Sequence, residues 1–265
     1  MNIFNIIDSF QKFDGDAVGR LEHASRRMFM NRIGSKLAAA AVPVAFGSIV
    51  NKAFGATPTA TEVLNYALTL EYLENEFYMI GNGTAGLIKA EYAPVFAQIG
   101  KHEKAHVDFL VAALGAAAVK KPTFDFPAVF PTVFTDFATF VTVSKALEDT
   151  GVRAYKGQAG NLITSKPLLE YALQIHSVEA RHAAIARRIL GKISGDATIK
   201  GWISNDTGVP AAVYAGEGNV VQGTLNLPGV AGLEGISFTA ITESFDEPLT
   251  MEEVLKIAGP FIKTM

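Results

Sequence analysis

The 265-residue chain has no cysteine. That absence excludes disulfides, thiolate metal sites and cysteine nucleophiles, so any metal must be held by oxygen and nitrogen ligands. An excess of one charge is missing too. Lys and Arg number 23 against 26 Asp and Glu, a net charge of −3, so no phosphate-tracking surface is expected and nucleic acid is discounted as a partner. Tryptophan occurs once, at Trp202. The apolar run near the start, Leu37 to Phe46, is too short to span a bilayer comfortably. What is present, 49% hydrophobic and 18% charged residues, suffices for one sizeable core with extensions.

The informative pattern is a repeat. Glu103 and His106 form a Glu-x-x-His pair, and Glu179 and His182 form a second. On a helix, residues three apart share a face, so a carboxylate and an imidazole so placed can bind one metal ion together. Each pair is preceded by Glu-x6-Tyr: Glu71 with Tyr78, and Glu148 with Tyr155. Glu71 to Glu103 is 32 residues and Glu148 to Glu179 is 31, so the two copies are offset by 76 to 77. Glu74 and Glu76 compete with Glu71 as the first-helix ligand, and only the repeat favours Glu71. Tyr78 and Tyr155 could equally serve as packing groups. His102 reads as a surface residue or one backing a ligand, and His176 as exposed or packed.

Hydrophobic spacing predicts four long helices. The first starts around Thr57-Pro58-Thr59, with a hydroxyl cap and the early acid Glu62, and runs to about Ile80, broken by Gly81 to Gly86. The second runs from Tyr92 or Pro94 to Leu114. Residues 115–131, with Pro122, Pro127 and Pro131, read as a long connection whose phenylalanines pack. The third is expected over Thr132 to Gln158 and the fourth over Pro167 to Leu190, stopped by Gly191. Helix, short turn, helix, long crossover, helix, short turn, helix is the order of an all-α, ferritin-like four-helix bundle with one long crossover. The midpoint of each Glu and Glu-x-x-His pair falls in its hairpin's turn, which levels the pair across antiparallel helices.

Four buried carboxylates at one level would repel one another and lose hydration; two divalent ions cancel that charge. Oxygen and imidazole donors suit iron or manganese, with zinc possible as the metal. Residues 58–191 resemble the ferritin-like di-iron and di-manganese carboxylate proteins. Leu70 to Tyr78 and Phe245-Asp246-Glu247-Pro248-Leu249-Thr250 are similar to the exported or desiccation-related members. The resemblance implies that Glu103 and Glu179 bridge the metals. Glu71, Glu148, His106 and His182 would be terminal ligands, and Tyr78 and Tyr155 hydrogen-bond donors that orient them.

Three segments are expected: a leader over 1–56, the bundle over 57–191 and a C-terminal extension over 192–265. Ser25-Arg26-Arg27-Met28-Phe29-Met30-Asn31 resembles a twin-arginine export signal, which implies the periplasm or cell envelope, with membrane association through the leader if it is uncleaved; the alternative is the cytoplasm. Residues 193–248 are Gly-rich, with short strands expected around Val220 to Leu225 and Ile236 to Ile241. Their many apolar residues, Trp202 among them, call for burial on the bundle or against a second subunit, so a homo-oligomer is expected. Thr250 and Glu253 predict a capping box for a short terminal helix. The expected function is redox chemistry on O2 or H2O2, of ferroxidase, peroxidase or catalase-like type. The alternative is a non-enzymatic stress-protection or structural protein of the envelope.

Overall fold

The computed structural model describes residues 58–230 and 232–263. The leader, with Arg26-Arg27, lies outside the described residues. Two compact units divide the chain: Met1–Asp125 with Ile262–Met265, and Phe126–Phe261.

The first unit is a helical hairpin, α1 (Ala60–Gly83) and α2 (Ala93–Leu114). Thr59 caps α1 by accepting from the Glu62 amide, while Glu62 accepts from the Thr59 amide, a complete capping box. The helix runs on through Gly81-Asn82-Gly83, beyond the expected stop at Ile80. Asn82 explains the continuation, because its side-chain amide donates to the Phe96 carbonyl of α2 at 3.0 Å and ties the last turn to its neighbour. At the far end, buried Asn65 donates to the Ala117 carbonyl and accepts from the Val119 amide. These contacts fix an antiparallel register. Pro94 occupies the first turn of α2, where its missing N–H costs nothing.

In the second unit the connection contains one turn of helix, α3 (Phe126–Val129); its Phe126 ring and the Phe130 ring just after it pack on Phe261. α4 spans Phe137–Gln158. It starts five residues later than expected, because the Asp136 carboxylate, not a threonine hydroxyl, accepts from the Thr139 amide and sets the cap. α5 spans Lys166–Ser194 and passes through Gly191, which was expected to stop it. The stop is Gly195, in the left-handed conformation at φ 70°. Gly191 instead makes room: a Cβ there would come within 3.2 Å of the Asp196 and Ile199 carbonyls.

Beyond α5 the chain crosses α4. Val213 and Tyr214 join Ala146 in a small buried cluster. β1 (Val221–Gln222) and β2 (Leu225–Asn226) form a minimal antiparallel hairpin, Val221 opposite Asn226. The second expected strand, 236–241, is instead the short helix α6 (Phe238–Thr242), because the Ser237 hydroxyl caps it through the Ala240 amide. α7 (Met251–Ala258) carries the expected Thr250–Glu253 capping box. The expected burial of the segment is only partly realised. Val213, Tyr214 and Ile241 are buried, but Trp202 is 50% exposed with the Lys200 ammonium 5.9 Å above its ring, and Val209, Val221, Leu225, Ile236 and Phe238 are exposed as well. No helix among the described residues is long and apolar enough to cross a membrane.

Candidate metal centre

Each hairpin builds a triad at mid-height. In the first unit, Glu71 of α1 faces Glu103 and His106 of α2, all three buried. His106 Nδ1 lies 3.1 Å from Glu71 Oε2 and 3.2 Å from Glu103 Oε2. In the second unit, Glu148 of α4 faces Glu179 and His182 of α5, again all buried, with His182 Nδ1 3.2 Å from Glu148 Oε2. Within either triad, one potential ligand atom per residue lies within 4.8 Å of the others.

The local reason is periodicity. Glu103 and His106, like Glu179 and His182, are three apart on one helix, and the antiparallel register brings the glutamate of the neighbouring helix level with them. Two carboxylates taken out of water repel each other. A divalent cation held by the same oxygens and imidazole nitrogens would cancel that charge, so the residues fit a metal. The donors are all carboxylate oxygen and imidazole nitrogen, which suits iron, manganese or zinc.

The competing glutamates fall elsewhere. Glu76 pairs with Lys121 at the surface, and Glu74 is buried yet stands outside both metal-competent groups. His102, read as a surface or backing residue, is buried and sits 2.7 Å from Gln98 Nε2. His176 is half-buried, its Nδ1 2.9 Å from the Val152 carbonyl. Tyr78 and Tyr155 are buried, and Tyr78 lies against Phe77 and Phe96.

Sequence reasoning missed a polar stripe on α4. Lys145, Asp149 and Arg153 recur every fourth residue and are all buried. Asp149 receives the Arg187 guanidinium of α5 on both oxygens and the Tyr214 hydroxyl at 2.7 Å. Arg153 donates to the Glu247, Val213 and Ala215 carbonyls and pairs with Glu217 at 2.9 Å. Burial lifts the Glu217 carboxyl from 4.5 to about 7, with Arg153 pulling against it. The readable signal was three charges spaced every fourth residue on a helix otherwise destined for the core.

Helical hairpins with Glu/Glu/His triads at mid-height define an all-α protein of the carboxylate-histidine kind. The profile of the ferritin-like domain matches residues 59–192, half of the chain and all six triad residues, so the chain belongs to the ferritin-like domain family. No curated protein matches the chain.

Proposed function

We propose that the two triads each hold a divalent ion, iron or manganese, and that the protein performs redox chemistry on O2 or H2O2. The carrying observation is that the same buried Glu/Glu/His triad is built twice in one family domain. When bound, the ions would supply the electrons exchanged with the oxidant. The chain's own part is to hold and neutralise. Glu71, Glu103 and His106 would hold one ion, and Glu148, Glu179 and His182 the other. Burial keeps water from competing for these positions.

The test is metal analysis of protein purified from iron- and manganese-supplemented cultures, followed by O2 and H2O2 consumption. Two ions per chain with turnover support the reading. Two ions without turnover favour a structural metal in a non-enzymatic envelope protein. Chains that bind neither ion, even after reconstitution, overturn it. Glu103→Gln should lower metal content; equal content in variant and wild type rejects the role of Glu103. Each ion present at about 100 times its Kd should add about 2.7 kcal/mol to stability.

A further inference from the structure

The internal repeat makes its two halves comparable position by position, and they differ beside the ligands. Glu148 corresponds to Glu71, so Asp149 corresponds to Tyr72; His182 corresponds to His106, so Arg187 corresponds to Val111. The first hairpin therefore cannot form the bidentate Asp149–Arg187 link that ties α4 to α5. That link starts one residue from Glu148. It ends five residues beyond His182, about 7.5 Å further along α5 at 1.5 Å per residue. Tyr214, from the segment after α5, seals it: its hydroxyl donates to Asp149 Oδ2 at 2.7 Å, and Lys145 Nζ and Arg187 Cζ lie 5.2 Å and 5.5 Å from its ring centre.

We propose that Tyr214 and Asp149 are positioning residues for the α4–α5 triad, so that the C-terminal segment tunes one of the two ion sites and leaves the other alone. This rests on the two-metal reading above. The lever is rotation of α4. A carboxylate oxygen about 5 Å from the helix axis moves by about 1 Å when the helix turns by about 10°. Metal–ligand distances tolerate only about 0.2 Å. Glu148 and Asp149 are consecutive, so a bond that stops Asp149 from turning also stops Glu148. The Arg187 end holds α5, and with it His182, at the matching angle. Groups that orient ligands in this way typically change metal affinity by about 10- to 100-fold when removed.

The experiment compares full-length wild type with Tyr214→Phe, which removes one hydroxyl and keeps the ring. Asp149→Asn is a second variant of nearly unchanged shape. Cobalt(II) binding is followed by titration calorimetry and visible absorption. Imidazole nitrogen resonances of the metal-free proteins are recorded in parallel. The expected result is about a 10-fold loss of affinity for one of two cobalt ions, with the other within twofold. In the metal-free variants, the His182 resonances should shift while those of His106 stay. Equal weakening of both ions, or no weakening, overturns the proposal, as do unmoved His182 resonances. A wild type that binds no cobalt overturns the two-metal reading, and the resonances then decide the positioning claim by themselves. A general loss of stability would disturb both histidines alike, and that pattern also counts against the proposal.

Discussion

Replacing Arg153 by methionine should release the C-terminal segment from α4. The guanidinium is fully buried and holds four groups of the segment: the Glu217 carboxylate and the carbonyls of Val213, Ala215 and Glu247. Methionine fills much of the same volume, so the packing term is small. Stranding one partner of a buried pair costs about 3–5 kcal/mol. Each carbonyl left dry adds on the order of 1 kcal/mol. Glu217 offsets part of this, because its carboxyl already titrates near 7 and can take up a proton once the cation is gone. The net loss should be about 4 kcal/mol at pH 8 and smaller at pH 6. A domain of ordinary stability has about 5–15 kcal/mol in all, so the change is large. Urea denaturation gives the total, and hydrogen exchange resolved along the chain gives its location, with 213–217 and 246–249 exchanging fastest. Adding Glu217→Gln should recover part of the loss, since a neutral amide no longer needs a counter-charge. A loss under about 1 kcal/mol with unchanged exchange in those stretches would refute the reasoning.

Other outcomes follow from the same structure. The Glu217 carboxyl titrates higher in the fold than its ordinary 4.5, so the folded state holds the extra proton. Its contribution is complete below about 4.5 and is lost as pH rises through about 7, amounting to at most about 3 kcal/mol. Burial raises Asp246 as well, with the same sign. Wild-type urea midpoints should therefore fall between pH 5 and pH 8, and Glu217→Gln should flatten the slope; parallel profiles would contradict this. Gly157→Ala, which on an open helix face would gain about 1 kcal/mol, should instead destabilise by more than about 2 kcal/mol. A Cβ at 157 would stand 1.9 Å from the Leu249 carbonyl, and a neutral or stabilising result in thermal melts would show that the C-terminal strap, the stretch around Leu249, yields easily. Changing Arg26 and Arg27 together to lysine should hold the protein in the cytoplasm, as read by cell fractionation; unchanged distribution would reject an export role for the pair.

How much of this was legible beforehand depends on the range of the signal. Thr59–Glu62 and Thr250–Glu253 are contacts three residues apart, and both caps were readable. The triads were readable because a duplicated spacing carries long-range information within the sequence itself. α4 starts at Phe137 and not near Thr132, because the Asp136 carboxylate takes the Thr139 amide, a choice of cap that helical spacing does not reveal. A short strand was expected around 236–241, yet Ser237 caps a turn of helix there. Arg153 and its partners lie 60 to 94 residues apart, and nothing local joins them. The closing Asp246-Glu247-Pro248-Leu249 stretch is anchored on α4. The Leu249 amide donates to the Arg153 carbonyl, and the Leu249 carbonyl rests on Gly157, so α4 and the strap meet backbone to backbone.

Phe124 and Ile262 pair as an isolated antiparallel bridge, and the Lys263 amide donates to the Thr123 carbonyl. The chain between them, Phe126–Phe261, is thus closed at its two ends by this bridge. Drawing together the ends of a flexible loop of about 140 residues costs about 4 kcal/mol in chain entropy, more than two backbone hydrogen bonds return. The bridge is therefore expected to close after the intervening helices have folded. The last residues are thus added late, and their protection from hydrogen exchange would report when the remainder of the chain has finished folding.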